Sequence, residues 1–515
     1  MANTARFTLT PNAAPASLHG HASPPLHDDA AYRALLTHDA RFDGRLFVGV
    51  TSTGIYCRPV CRVRPPKREN CRFFTSAALC ESHGFRPCLR CRPELAPGLS
   101  LMDSSNALAG RAATLLSQAA QEGLDPRLPD LAAHLGVTDR HLRRIFMQAH
   151  GVSPLAYLGT QRLLMAKQLL HDTQLPITEV ALATGYASLR RFNAAFLARY
   201  RMNPSALRRA SPDQAHATAD PVLRLAWRAP YDIPGVLNFY ARRALPGIEH
   251  VDAQHQTLYR TLAITLQGKA LTGWLVARFV PARCEVALTV STSLLPALGS
   301  VLQRVRQGLD LDAEPALIDP VLADIGNTLP DGIRLTGGFD GFEIATRVIL
   351  GQQVTVAAAR TLTQRLVDRF GAPIRTPFAE LTRLFPSAAA IAGASAESIG
   401  TLGIVRQRVA ALQALAGAVA AGRITLHRAA PLQDTLDALL TLPGIGPWTA
   451  QLIAMRALAW PDAWPATDIA VLNALRPHTG GQRDAALAQA HAERWRPWRA
   501  YAVMKLWLSL DERPP

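Results

Sequence analysis

The sequence predicts a multidomain chain. A small α+β zinc domain comes first, then an all-α double helix-turn-helix domain, an α+β antiparallel-sheet domain, and an all-α domain with a helix-hairpin-helix. Three observations carry this expectation. The 515 residues exceed what a single hydrophobic core serves, so three or four domains are expected. Apolar spacing changes along the chain: every three or four residues over 104–208, strand-like from Val222 to about Arg283, helical again from about Arg334. Finally, Cys57, Cys61, Cys88 and Cys91 form two close pairs whose spacing suits one tetrahedral ion.

Composition narrows the function classes. Hydrophobic residues make up 49% of the chain, and the formal net charge is +16 with a pI near 10.2. Lysine occurs only at Lys67, Lys167, Lys269 and Lys505, so the basic charge is mostly arginine. Arginine's planar fork binds phosphate bidentately, and an excess of this size suggests a polyanionic partner, with a soluble basic surface as the bland alternative. Residues 1–210 hold 26 basic and 14 acidic side chains, a net +12, whereas residues 211–515 hold 29 and 25, a net +4. No apolar run reaches membrane-spanning length, and residues 1–27 have no signal-peptide core. The expected location is the bacterial cytosol, close to the nucleoid, with no membrane partner. In that reducing compartment zinc is favoured over a disulfide framework for the paired cysteines.

Residues 1–27, rich in Pro, Ala, His and Ser, read as a flexible leader. Residues 28–97 surround the cysteines, which lie in Thr53-Gly-Ile-Tyr-Cys57-Arg-Pro-Val-Cys61-Arg-Val-Arg64 and Gly84-Phe-Arg-Pro-Cys88-Leu-Arg-Cys91. Two short loops that each offer two thiolates make a four-cysteine site for one Zn2+, and a bound thiolate stays deprotonated and nucleophilic. On spacing alone, a purely structural zinc knuckle is the favoured reading. The flanking residues closely resemble the N-terminal domain of the Ada family of adaptive-response regulators. That resemblance implies that Cys57 irreversibly accepts a methyl group from a DNA phosphotriester, with Cys61, Cys88 and Cys91 remaining as ligands. Methylating one sulfur removes one negative charge from the cluster. DNA affinity should then rise, with Arg58, Arg62, Arg64 and Lys67 free to contact the backbone. Cys71, Cys80 and Cys284 have no assigned role, and burial is the default for such cysteines.

Residues 104–208 contain two helix-turn-helix patterns. The first runs from Leu131 to Phe146, with a turn at Gly136 and a cap at Thr138. The second runs from Ile177 to Phe196 and is followed by Asn203-Pro204. Gly185-Tyr-Ala-Ser188, the phenylalanines Phe192 and Phe196, and the closing Asn-Pro together resemble the AraC family signature. The resemblance implies two recognition helices in successive major grooves, about 34 Å apart. Asp139, Arg140, Arg143 and Arg144, then Ser188, Arg190, Arg191 and Asn193, are the candidate DNA contacts. For any single arginine here a phosphate contact or a solvated surface outweighs base readout. Phe192 and Phe196 read as core.

Residues 209–220 read as a flexible linker. Strand patterns such as Val222-Leu-Arg-Leu-Ala-Trp227 and Thr272-Gly-Trp-Leu-Val-Ala-Arg-Phe-Val280 then mark an α+β unit over 221–332, and helical patterns occupy 333–515. Within the last unit, Thr441-Leu-Pro-Gly444-Ile-Gly446-Pro-Trp448-Thr-Ala450 is a helix-hairpin-helix signature, whose Gly-x-Gly turn lets backbone N–H groups face a DNA phosphate. Trp464-Pro-Ala-Thr-Asp468 follows about twenty residues on. Together with Gln353, Phe239-Tyr-Ala-Arg-Arg243 and Trp495-Arg-Pro-Trp-Arg-Ala-Tyr501, these resemble the AlkA family of 3-methyladenine DNA glycosylases. The resemblance implies that Asp468 is the carboxylate that stabilises positive charge on the sugar. Helix capping is its bland role, and both can hold at once. Trp448, Trp507 and Phe239 match aromatic positions of the family's pocket, and Gln353 matches its wedge. Leu452 and Ile469 depart from it, standing where tyrosines are expected. Trp448 occupies the position where relatives that also cut the backbone carry a Schiff-base lysine, so an abasic site is the expected product.

The combined expectation is a bifunctional alkylation-response protein: a methylphosphotriester-sensing activator working with RNA polymerase, joined to a monofunctional glycosylase. A regulator with a silent glycosylase half, and an enzyme merely localised by its front half, are the two rivals.

Overall fold

The computed structural model describes residues 28–97, 107–209 and 222–511, apart from 122, 124, 125, 136, 267, 327 and 328. The leader at 1–27, the linker sequence 211–220 and the Gly136 turn lie outside the described residues.

Around the cysteines, four short strands form one sheet: β1 (Phe47–Val50), β2 (Ile55–Cys57), β3 (Cys71–Phe74) and β4 (Arg86–Pro87), in the order β3-β1-β2-β4. The β1–β2 hairpin is antiparallel, whereas β4 lies parallel to β2, with Tyr56 opposite Pro87. That parallel pair brings the two cysteine loops side by side, because each loop begins where its strand ends. Cys71 packs with Ala31, Leu35 and Val48, and Cys80 with Phe47, Tyr56 and Phe74, so both are core residues.

Among the described residues, seven helices follow. Asp139–His150 and Leu189–Tyr200 are the second helices of the two helix-turn-helix patterns. Each starts on the hydroxyl that the sequence marks: Thr138 accepts from the His141 amide at 3.2 Å, and Ser188 from the Arg191 amide at 3.3 Å. Phe146, Phe192 and Phe196 are fully buried. The 19-residue helix Pro154–Asp172 lies between the two patterns, and most of its residues are buried.

From Val222 the chain builds a five-stranded antiparallel sheet: β5 (Val222–Ala226), β6 (Glu249–Asp252), β7 (Thr257–Leu266), β8 (Lys269–Val280) and β9 (Glu285–Val290), ordered β5-β9-β8-β7-β6. Strand β9 alternates half-buried and buried residues, which is the period-two pattern of a strand with one face on a core. Helices dominate from Gly341 to Asp511 around a core that includes Ile349, Leu412, Ile453 and Val503. A buried ion-pair network ties sheet to helices. Arg260 pairs with Glu249 at 2.6 Å and with Glu343, while Arg347 pairs with Glu249 at 2.5 Å and Glu343 at 2.8 Å.

The sequence suggests flexible tethering of two halves, but the segments on either side of the linker share a core. Leu163, Leu170, Val180 and Phe196 belong to the same cluster as Leu223, Leu225, Leu288 and Val305. Polar contacts reinforce it. Arg228, 1% exposed, donates to the Asp43 carbonyl at 2.9 Å and to the Asp312 carbonyl at 2.8 Å. Arg306 reaches the carbonyls of Leu95 and Ala96, and Arg45 pairs with Glu314. Among the described residues no helix is long and apolar enough to cross a membrane.

Candidate metal centre and active site

Strand β2 delivers Cys57 and the turn after it delivers Cys61; β4 leads directly into Cys88 and Cys91. The four sulfurs lie within 4.8 Å of one another, with Cys91 alone partly exposed. A donor set of four thiolates at this separation fits one Zn2+ with bonds of about 2.3 Å. Backbone amides temper the cluster's negative charge: Arg58 N–H donates to Cys91 Sγ at 3.3 Å and Arg90 N–H to Cys88 Sγ at 3.4 Å.

One expectation needs correction here. Arg58 is not free for DNA. Its side chain is 4% exposed, pairs with Asp43, and donates to the Cys91 carbonyl at 3.1 Å. The neighbouring Asp43 carboxylate raises its pKa despite burial, so the charge is retained inside the fold. Arg62, Arg64 and Lys67 are exposed around the same loop.

On the helical segment, Arg140, Arg143 and Arg144 are exposed, as are Ser188, Arg190 and Arg191, while Asn193 is half-buried. Arg143 is paired with Asp139 at 3.0 Å, one turn back. Ser188 has its side-chain oxygen on the Arg191 amide, so its role in the fold is the helix cap.

The second site lies between helix Ile233–Ala241 and the C-terminal helices. The hairpin joins helix Leu432–Leu440 to helix Pro447–Arg456. Gly444 takes φ +74°, and a Cβ there would come within 3.2 Å of the Ala411 side chain and 3.3 Å of the Gln407 carbonyl, so glycine is required twice over. Gly446 has open space above it. Gln352 braces the turn from outside, donating to the Gly444 carbonyl at 2.8 Å and to Thr449 Oγ1 at 2.9 Å.

Beside the hairpin a cavity of about 1170 Å³ is lined by Phe239, Gln353, Trp448, Leu452, Asp468 and Trp507 among others. Asp468 is 7% exposed and caps helix Ile469–Leu475. Its Oδ1 accepts from the Val471 amide at 3.0 Å and from Trp507 Nε1 at 3.1 Å, and its Oδ2 accepts from Trp448 Nε1 at 3.0 Å. Three donors therefore fix the orientation of one largely buried carboxylate at the cavity wall. The two tryptophans do more than line the cavity, because their ring N–H groups aim the carboxylate.

Other expected positions differ in detail. Phe239 is buried, and the Arg243 and Arg456 guanidinium carbons lie 3.8 and 5.0 Å from its ring centroid, so cations of the chain itself already occupy its surroundings. Gln353 is exposed at the cavity edge with φ +53°, a left-handed backbone unusual for a side chain of this size. Leu452 is buried, whereas Ile469 is 60% exposed. Sequence reasoning missed Gln352, Arg456 and Asp43. Gln352 stands next to Gln353 in the same motif, and that adjacency was the available signal.

Four family descriptions match the chain in order: "Metal binding domain of Ada" over residues 30–94, "Helix-turn-helix domain" over 131–210, "AlkA N-terminal domain" over 222–340, and "HhH-GPD superfamily base excision DNA repair protein" over 346–500. A "probable bifunctional transcriptional activator/DNA repair enzyme AlkA" of Mycobacterium tuberculosis is 38% identical over 505 residues, covering 94% of this chain and 97% of its own. The "DNA-3-methyladenine glycosylase 2" of Escherichia coli is 31% identical over 56% of this chain and 98% of its own. The Escherichia coli "bifunctional transcriptional activator/DNA repair enzyme Ada" is 35% identical over 26% of this chain and 35% of its own.

Proposed function

Because the chain belongs to the family of fused Ada-type transcriptional activators and AlkA-type DNA repair enzymes, we propose that it senses DNA alkylation with its front half and excises alkylated purines with its back half. The observation that carries the enzymatic half is the Asp468 carboxylate, gripped by Trp448, Trp507 and a helix N-terminus inside the cavity beside the hairpin. The hairpin amides at Gly444 and Gly446 would hold a backbone phosphate while the damaged nucleotide is extruded into the cavity. As the glycosidic bond lengthens, its electron pair goes to the base and positive charge builds on the sugar ring, where Asp468 stabilises it. Water then bonds to C1′ and releases a proton to solvent, because an alkylated purine that was cationic departs neutral, and an abasic site remains. With Trp448 in place of a lysine, no Schiff base forms and the backbone stays intact.

In the front half Cys57 is the proposed acceptor. Zinc, when bound, keeps its sulfur a thiolate. That sulfur attacks the methyl carbon of a phosphotriester, the S–C bond forms, the methyl C–O bond breaks, and the ester leaves as an ordinary phosphodiester anion. Loss of one negative charge near Arg62, Arg64 and Lys67 then favours DNA, and the two recognition helices place the protein at a promoter, where RNA polymerase is the partner that activation requires.

The test is release of free base from methylated duplex DNA by wild type and by Asp468→Asn. Release of 3-methyladenine by the wild type alone supports the reading. Equal release by both proteins would remove Asp468 from its role. Failure of both would favour a second reading, a regulator with a silent glycosylase fold, to which Leu452 and Ile469 already lend some support. For the front half, peptide mass spectrometry after incubation with methylated DNA should find one methyl group on the peptide containing Cys57.

A further inference from the structure

Helix Pro447–Arg456 sends Trp448, Leu452 and Arg456 into the cavity at four-residue steps. Trp448, in the first turn, holds Asp468. Arg456 lies eight residues later, about 12 Å along the helix at ~1.5 Å per residue, and helical side chains lean back toward the N-terminus. Its side chain lines the same cavity as the carboxylate, beyond the apolar Leu452.

The surroundings of Arg456 are unusual for a structural arginine. Its Nε is buried without a hydrogen-bond partner. The nearest carboxylates are committed elsewhere: Glu249 and Glu343 pair with Arg260 and Arg347. Burial, and then the like charge of Arg347, bring its pKa down to about 10. One side of it rests on the Phe239 ring, which orients the guanidinium without satisfying its donors. An arginine offers five N–H donors and no acceptor, and leaving even the Nε donor unmet in a desolvated place is costly. A ligand atom that accepts hydrogen bonds would remove that cost.

The geometry points to Arg456 as the residue that selects the extruded base, by donating to a carbonyl oxygen at position 6 of a purine. This deepens the glycosylase reading above and rests on it. A 6-amino group presents N–H donors to a donor, so an adenine-type base gains nothing from Arg456. A 6-oxo base gains twice. Its oxygen accepts the hydrogen bond, and the electron pair it keeps when the glycosidic bond breaks spreads onto that oxygen, beside a cation.

The test compares single-turnover release of hypoxanthine and of 3-methyladenine, each from a duplex with one lesion, by wild type, Arg456→Met and Arg456→Lys. Methionine keeps the length and the contact with Phe239 but removes every donor. Hypoxanthine release by Arg456→Met should fall about tenfold to a hundredfold, the range for one charge-assisted hydrogen bond. The ratio of hypoxanthine to 3-methyladenine release should drop with it, since no donor to the 6-amino group of 3-methyladenine is lost. Arg456→Lys should recover part of the hypoxanthine rate. An equal fall for both bases would give Arg456 a structural role and overturn the proposal, as would unchanged hypoxanthine release. A wild type that releases 3-methyladenine but no hypoxanthine overturns this proposal alone, and a wild type that releases neither overturns the glycosylase reading along with it.

Discussion

At Asp468 one carboxylate both closes a helix and faces the cavity. Asparagine caps a helix about as well as aspartate, so Asp468→Asn should unfold within a few degrees of the wild type. Base release should nevertheless fall by about 10²–10³, the usual loss when a preorganised electrostatic partner is removed. Thermal melting and base release on the same preparation check both halves of that expectation. Arg58 and Asp43 make a second residue-scale case. Their buried pair sits directly beside Cys57. Asp43→Ala strands the guanidinium in the interior and should cost about 3–5 kcal/mol. Denaturant unfolding reads that loss, and zinc content measured alongside should fall too, since Arg58 also holds the Cys91 loop through its backbone and side chain.

Among the elements, helix Ala77–Ser82 joins the cysteine segment to the helix-turn-helix segment through Glu81. Buried at 3% exposure, Glu81 accepts from Tyr56 Oη at 3.1 Å, Thr160 Oγ1 at 2.9 Å and Arg199 Nε at 3.2 Å. Burial pushes its pKa up to about 7, while Arg199, Thr160 and Tyr56 pull the other way. The folded value lies above the ordinary value of 4.5, so the protonated form is the one that folding favours. The associated stability is complete below about pH 4.5 and is lost as pH rises through 7. Relative to Glu81→Gln, the wild type should therefore lose stability between pH 5 and 8, as denaturant melts of both proteins across that range would record. None of this was legible in the sequence, because the three partners of Glu81 lie 25, 79 and 118 positions away. What was legible was local chemistry. The hydroxyl caps Thr138 and Ser188, the paired cysteines and the Gly-x-Gly turn each fix a backbone conformation within a few residues. The indole N–H bonds to Asp468 span 20 and 39 positions, and only the fold reveals that the tryptophans orient the carboxylate. Arg58 reads as a surface arginine because its partners, the Asp43 carboxylate and the Cys91 carbonyl, come from opposite directions along the chain.

Over the whole molecule, the two halves share one hydrophobic cluster, and Arg228 bonds across to the Asp43 carbonyl. Cooperative unfolding follows from a shared core. Calorimetry should show the second helix-turn-helix and the sheet melting in one transition, and cleavage between 209 and 222 followed by separation of the fragments should lower the melting temperature of the front fragment. Two well-separated transitions, or a front fragment as stable as the intact chain, would count against a common core.

Arg228 also has a meaning at the level of the cell. A guanidinium wedged between sensor and repair enzyme makes the two a single object for proteases and chaperones. A substitution that unfolds either half should expose the same buried seam, so sensing and repair should be lost together rather than one at a time.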